Sequence, residues 1–230
     1  MKLRGLFVTG TDTGVGKTRV AVALIHALRT RGLRVAAMKP VAAGHALGEL
    51  NEDVAALLQA ANVAADLGDV NPYAFAEPVA PHIAAQRAGV RIELDVIAAA
   101  YSRLAAAADV VVVEGAGGWR VPLNERDDMA DLAQRIGQPV VLVVGMRLGC
   151  LNHALLTAES IANRQLPWAG WVANHVDPAM ACQAENVAAL RARLPAPCLG
   201  VQDFLHEGLA SGAALQWLTL PEELACLNSL

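Results

Sequence analysis

The sequence predicts a three-layer α/β domain built on a mainly parallel central sheet, and three observations predict it. Short apolar runs of strand length alternate with longer segments of helical period along most of the chain. Two of those runs, Val110-Val111-Val112-Val113 and residues 140–144, are continuously apolar rather than alternating, as strands covered by helices on both faces should be. The chain is 55% hydrophobic but only 4% aromatic, so its apolar mass is mostly Ala, Val and Leu, which suits helices packed on a buried sheet.

In chain order, Leu6 to Thr9 reads as a buried strand followed by a Gly-rich turn. Residues 17–30 form a helix whose inner stripe is Val20, Leu24 and Leu28, and Gly32 ends it. Residues 34–38 form a second strand, stopped by Pro40. A short helix spans 53–61. Asn71-Pro72 and the prolines at 78 and 81 mark a long loop. An Ala-rich helix over 94–107 leads into the four-Val strand. After the strand at 140–144 come a helix over 151–164, a strand over 168–173, a helix over 178–193 and a short strand at 198–200. The tail after Asp203 carries no legible element. With no internal repeat, low-complexity tract or linker, residues 1–230 read as one domain.

Bulk properties bound the partners. A net charge of −4 with no Lys/Arg-rich tract argues against nucleic acid. The four cysteines (Cys150, Cys182, Cys198, Cys226) include no C-x-x-C pair, so neither a disulfide framework nor a zinc site is expected, and a reducing cytoplasm fits. The N-terminus runs straight into the first strand, and no apolar run approaches the ~18 residues of a membrane span. The expectation is a cytoplasmic protein with no membrane partner.

The chemistry concentrates first in Thr9-Gly10-Thr11-Asp12-Thr13-Gly14-Val15-Gly16-Lys17-Thr18. This segment follows a strand and opens a helix, the context of a P-loop, so the fold is read as a P-loop NTPase. Backbone N–H groups of the loop and helix start can surround phosphate oxygens. Lys17 brings positive charge to the β/γ-phosphates, and the Thr18 hydroxyl can ligate Mg²⁺. The spacing differs from G-x-x-x-x-G-K-T: Thr11 stands at the first position and Gly10 one residue earlier. Glu114 closes the four-Val strand ahead of Gly115-Ala116-Gly117-Gly118, at the carboxyl edge where open α/β sheets bind ligands, and is placed to help hold Mg²⁺. Lys39 ends the second strand at the same edge. Read from the residues alone it is equally a surface lysine or a cation facing an anion. Asp53 is equally a helix cap. Asn174-His175-Val176-Asp177 follows a strand, and an Asn there either sits in a turn or reads a base through its amide. The six histidines show no metal-ligand spacing, and only His82 sits in a suggestive loop.

Together these segments resemble the dethiobiotin synthetases. The similarity rests on V-T-G-T-D-T-G-V-G-K-T at 8–18, K-P-V-A-A-G at 39–44, N-P-Y-A-F-A-E-P-V-A-P-H at 71–82, V-E-G-A-G-G-W at 113–119, V-V-G-M-R-L-G-C-L-N-H-A at 143–154 and G-W-V-A-N at 170–174. The resemblance implies that diaminopelargonate, CO₂ and MgATP are the small-molecule substrates and that dethiobiotin, ADP and phosphate are the products, through a carbamate and a carbamic–phosphoric anhydride. It places Lys39, Lys17 and Thr13 at the carbamate and γ-phosphate, and Thr18, Asp53 and Glu114 around Mg²⁺. ATP as co-substrate lies against Gly14, Val15, Gly16, Lys17, Thr18, Arg19, Asp53, Glu114, Gly115, Ala116 and Gly117, with Asn174 and His175 at adenine. The helix start Gly149-Cys150-Leu151-Asn152 binds the substrate carboxylate from the other subunit, so the resemblance implies a homodimer with active sites at its interface. Three positions depart from the family pattern. Gly14 stands where many members have Glu, Ala43 where many have Ser, and Asp203-Phe204-Leu205 where a Pro-Trp-Leu nucleotide contact is frequent. Competing readings are a corrinoid-acid ligase, a partition-type ATPase switch and a relative without catalysis. The first usually needs a glutaminase domain. The second carries a lysine where this chain has Asp12. Ala43 keeps the third open.

Overall fold

The structure is a computed structural model that describes residues 4–45, 49–204 and 217–220. The first half of the chain forms β1 (Gly5–Gly10), α1 (Lys17–Arg29), β2 (Val35–Met38), β3 (Val41–Ala43), α2 (Glu52–Ala60), α3 (Leu67–Val70), β4 (Tyr73–Phe75), α4 (Pro81–Arg87) and α5 (Leu94–Ala107). The second half forms β5 (Val110–Glu114), α6 (Met129–Ile136), β6 (Val140–Met146), α7 (Cys150–Asn163), β7 (Trp168–His175), α8 (Gln183–Arg193) and β8 (Cys198–Gln202).

Six strands form one sheet in the order β2-β5-β1-β6-β7-β8, every neighbouring pair parallel. Parallel strands need crossovers, and the helices that supply them cover both faces. Successive residues of a strand point to opposite faces, so a continuous Val run feeds two cores at once. Leu6, Val8, Val110, Val112, Val141 and Val143 pack with Val20, Leu24, Ile25 and Leu28 of α1 and Leu57 of α2. Phe7, Met38, Val111 and Val113 face the other way, against Ile97, Ala100 and Leu104 of α5 and Leu132 and Ala133 of α6. Further along that side, Leu142, Val144 and Trp171 pack against Ala154 of α7 and Leu190 of α8. The three-layer architecture is the one the sequence predicts.

The register positions the site. Val8 pairs with Glu114 across β1 and β5, and Met38 pairs with Val113 across β2 and β5. The residues that follow β1, β2 and β5 therefore emerge side by side at one edge.

The structure corrects several sequence expectations. Residues 71–81 are not one long loop. Tyr73–Phe75 forms β4, which pairs in parallel with β3 in a separate two-stranded sheet, and α4 begins at Pro81. Pro81 at the start of that helix loses no intrahelical bond, which is why a proline read as a breaker begins an element instead. The helix expected from 178 starts at Gln183. Asp177 folds residues 178–180 into a turn by accepting the Ala179 N–H at 2.9 Å, and Cys182 is left-handed with φ 53°. Helix α6 was not expected. Its signals are a capping box between Asp128 and Asp131 and Gly137 as a left-handed C-cap. Beyond the last strand, Thr219 donates to the Leu199 carbonyl at 2.6 Å and Leu220 is buried. Leu205, His206 and Cys226 lie outside the described residues; Cys150, Cys182 and Cys198 are free thiols.

Asp128 accepts the N–H groups of Ala130 and Asp131 and also pairs with Arg120, joining the loop after β5 to α6. Asp128→Ala is expected to lower the unfolding free energy by about 1–2 kcal/mol, read from the midpoint of a urea titration.

Candidate active site

The loop between β1 and α1 wraps a point at the carboxyl edge of the sheet. Gly14 and Gly16 take left-handed φ values of 72° and 86°, which glycine adopts without a Cβ penalty. Val15 is pinned beneath the loop. A Cβ on Gly10 would lie 2.6 Å from one Val15 methyl, and a Cβ on Gly145 would lie 2.7 Å from the other. Gly10 thus makes room for Val15. From β7, Asn174 donates its amide to the Val15 carbonyl at 2.8 Å, while its buried Oδ1 has no partner among the described residues. Asp12 is held twice, accepting the Thr13 N–H at 2.7 Å and pairing with Arg147 at the end of β6.

Four functional side chains meet in front of this loop. The Lys39 ammonium donates to Asp53 Oδ2 at 2.7 Å and to Glu114 Oε1 at 2.5 Å. The Thr18 hydroxyl lies 2.6 Å from Asp53 Oδ1 and 2.8 Å from Glu114 Oε1, and its one proton can serve only one of them at a time. Lys17 donates to the Asp12 carbonyl at 3.0 Å. Burial would depress Lys39, but the charges of Glu114 and Asp53 outweigh it and the ammonium is stabilised above its ordinary range. Asp53 is half-exposed; burial would raise it, but contact with Lys39 dominates and it is pulled down. Glu114 is fully buried, and burial together with the nearby Asp53 charge pushes it up. One ammonium is thus shared between the two carboxylates it touches. Lys17 is depressed to about 8, by burial first and then by the charge of Lys39.

The residues fit Mg²⁺. Glu114 Oε2 is buried and lacks any hydrogen-bond partner among the described residues. A hydroxyl and two carboxylates beside a phosphate loop are the oxygen donors Mg²⁺ takes when phosphates and waters complete its shell. Among the described residues no group of three or more His, Cys, Asp or Glu side chains could hold a metal.

A cavity of about 670 Å³ opens in front of these groups, lined by Thr13, Gly14, Gly16, Lys17, Thr18, Lys39, Asp53, Glu114, Ala116 and Gly117 among others. The structure thus brings together most of the residues singled out in the sequence. Val15 and Gly115 are buried behind it, Arg19 points to solvent from α1, and Asn174 and His175 are buried at the end of β7. Asp53 is not the cap of α2: Asn51 accepts the N–H groups of Asp53 and Val54, freeing the Asp53 carboxylate for the site. Lys39 is not a surface lysine but 4% exposed. Gly149, Cys150, Leu151 and Asn152 do not line this cavity; Gly149 precedes α7 with φ 96°, beside the fully exposed Leu148. His82 lies on α4 and lines a different cavity with Asn124 and Glu125.

Sequence reasoning missed three contributors. Asn71 donates to the Lys39 carbonyl at 2.7 Å while the Lys39 N–H bonds Val70 at 2.8 Å, so the Lys39 backbone is clamped. Pro78, Val79, Ala80 and Pro81 form an apolar wall of the cavity. Arg147 holds Asp12. All sit inside quoted motifs, but only the fold brings them to the site.

A family model described as an AAA domain matches residues 4–207. The ATP-dependent dethiobiotin synthetase BioD of Nitrosospira multiformis is 56% identical over 198 residues, covering 86% of this chain and 87% of that protein. The protein of the same name from Aromatoleum aromaticum is 57% identical, covering 86% and 89%. The one from Pseudomonas aeruginosa strain UCBPP-PA14 is 52% identical, covering 90% and 93%. Among solved structures, the signal recognition particle 54 kDa protein of Aeropyrum pernix K1 with GDP aligns with a TM-score of 0.56 at 17% identity, over 98% of this chain and 45% of that one. The septum site-determining protein MinD of Pyrococcus horikoshii OT3 with Mg-ADP aligns at 0.55 and 16% identity, over 86% and 80%. At these identities the structural likenesses concern the fold alone.

The two loop glycines should respond differently to a methyl group. At Gly14 a Cβ meets open space, so Gly14→Ala bears only the left-handed cost of about 1–2 kcal/mol. At Gly16 a Cβ would stand 2.1 Å from Asn174 Nδ2. Gly16→Ala should therefore weaken binding of a triphosphate analogue by roughly tenfold or more, the affinity equivalent of about 1.4 kcal/mol or more of strain, in a calorimetric titration of both variants.

Proposed function

This chain belongs to the ATP-dependent dethiobiotin synthetase family, and on that premise we propose that it closes the ureido ring of dethiobiotin from 7,8-diaminopelargonate, CO₂ and ATP, releasing ADP and phosphate. The observation that carries the reading is the meeting of Lys17, Thr18, Lys39, Asp53 and Glu114 at one cavity beside a glycine-bent phosphate loop.

The chemical task is to replace a carbamate oxygen, a poor leaving group, by nitrogen. One amine adds to CO₂ and loses a proton, giving the carbamate. A carbamate oxygen attacks the γ-phosphorus and ADP departs. The second amine then attacks the carbonyl carbon, and the C–O bond breaks with release of phosphate. Negative charge moves from carbamate to phosphoryl oxygens and then to phosphate, and fixed cations lower the barrier to each shift. Lys17 and Lys39 are two buried ammonium groups at that place. Lys17 exchanges the Asp12 carbonyl for phosphate oxygens, and N–H groups of the loop surround the remaining ones. When bound, Mg²⁺ would be held by Thr18, Asp53 and Glu114 and would neutralise charge on the phosphate oxygens. Thr13 stands exposed at the cavity wall, on the side where the carbamate is expected. Ala43 lines the same cavity and offers no hydroxyl, so substrate contact there is apolar. Asn174 has committed an N–H to Val15 and retains an unpartnered Oδ1, an acceptor suited to the exocyclic amine of adenine.

The substrate carboxylate is assigned to the N–H groups at Gly149 to Asn152 of a second copy, making a homodimer with shared active sites. The absence of these residues from the lining of their own cavity supports this, as does exposed apolar surface at Leu148, just before α7, and at Leu156 on α7. Such an enzyme works on small molecules in the cytoplasm, without nucleic acid or membrane. No described helix is long and apolar enough to cross a membrane.

Incubation with diaminopelargonate, bicarbonate, Mg²⁺ and ATP should yield dethiobiotin by mass spectrometry, and no product at high enzyme concentration would sink the reading. Lys39→Ala should lower kcat by about a hundredfold or more with an unchanged circular dichroism spectrum; near-normal turnover would remove Lys39 from the chemistry. Sedimentation velocity at assay concentration should show a dimer, and a purely monomeric species would count against the shared site.

A further inference from the structure

Lys39 contacts the same carboxylates to which the divalent cation is assigned. Its ammonium bridges Asp53 Oδ2 and Glu114 Oε1 at 2.7 and 2.5 Å, with its side chain 5% exposed. The Thr18 hydroxyl lies within 2.8 Å of both carboxylates. The three oxygen donors assigned to the metal are thus already drawn together around a cation belonging to the chain. A second cation among the same oxygens would meet the ammonium at contact distance, in a place where charge is poorly screened.

The Lys39 backbone cannot give way, since Val70 and Asn71 hold both its N–H and its carbonyl. The flexible four-carbon stem can. It lines the cavity together with Lys17, so open space lies next to it there. In the free protein that direction is unfavourable, because Lys39 would exchange two carboxylates for the neighbourhood of another ammonium. With a triphosphate in the cavity it is favourable, because anionic oxygens replace the carboxylates lost. The same movement delivers a charge to the transferring phosphoryl group.

We propose that in the nucleotide-free protein Lys39 itself occupies the divalent-cation site, and that only the metal–nucleotide complex displaces it. Metal and nucleotide binding are then coupled, each strengthening the other by the same factor. The inference rests on the reading of Thr18, Asp53 and Glu114 as the metal site, but not on which reaction follows.

The test uses Mn²⁺ as the probe on the full chain without nucleotide, its free concentration followed by electron paramagnetic resonance. The wild-type protein should bind weakly, and a non-hydrolysable ATP analogue should tighten binding. Lys39→Met should bind Mn²⁺ roughly tenfold more tightly than wild type without nucleotide, as expected when the ammonium holds the site about nine-tenths of the time. Lys39→Arg, which keeps the charge, should stay as weak as wild type, and adding Glu114→Gln to Lys39→Met should abolish the gain. The proposal is overturned if Lys39→Met binds no better than wild type, if Lys39→Arg binds as tightly as Lys39→Met, or if no variant binds Mn²⁺. Should Lys39→Met fail to fold, the wild-type protein decides: equal Mn²⁺ affinity with and without the analogue refutes the coupling. Failure to form dethiobiotin would overturn the proposed reaction while leaving these binding results standing.

Discussion

A buried ammonium held between two carboxylates is the constraint on which this structure turns. Removing Lys39 and Glu114 from water has a desolvation cost of several kcal/mol per ion, and their attraction to each other and to the half-exposed Asp53 offsets it only if the geometry is held. The fold holds it from three directions. The β2–β5 register sets Lys39 beside Glu114, Asn51 takes over capping so that Asp53 can face inward, and Asn71 clamps the Lys39 backbone. An apolar replacement would be the more economical way to build a core. A site that must receive triphosphate, metal and a reactive carbamate has a use for charges that are already desolvated and oriented.

The phosphate loop depends on the same edge. Its front is tied to β6 by the Thr11 N–H to the Val143 carbonyl at 3.0 Å and by the Arg147–Asp12 pair. Its underside is fixed by Val15 between Gly10 and Gly145 and by Asn174 from β7. The loop is thus a shape imposed by its neighbours as much as by its own glycines. Preformed, it can direct N–H groups at an anion without ordering them at the moment of binding.

Much of this was legible in the residues. Lys17, Thr18 and Glu114 could be read because a strand-to-helix turn and a strand end have local meaning: the motif and its context lie within a few positions of each other. The four-Val strand could be read because an uninterrupted apolar run has one good explanation in an α/β protein. Lys39 and Asp53 were ambiguous alone, since a lysine after a strand and an aspartate at a helix start are ordinary. Helix α6 went unread despite a capping box and a C-terminal glycine, because it spans only 8 residues, about two turns in which a helical period can show, and follows an irregular loop. Asn71 and Arg147 were visible only as letters within motifs, because both act on residues far away in sequence.

What the sequence by itself determined is the chemistry available: a phosphate loop, a lysine at the end of β2, a glutamate at the end of β5, and the family to which their order belongs. The tertiary structure alone decided that Lys39 touches both carboxylates, that Asp53 is free of capping, and that residues 149–152 stand apart from their own cavity. The physical reason is the parallel sheet. Strands distant in sequence become neighbours only through crossovers, so contacts at their carboxyl edge depend on strand order and register, which no local stretch of residues encodes.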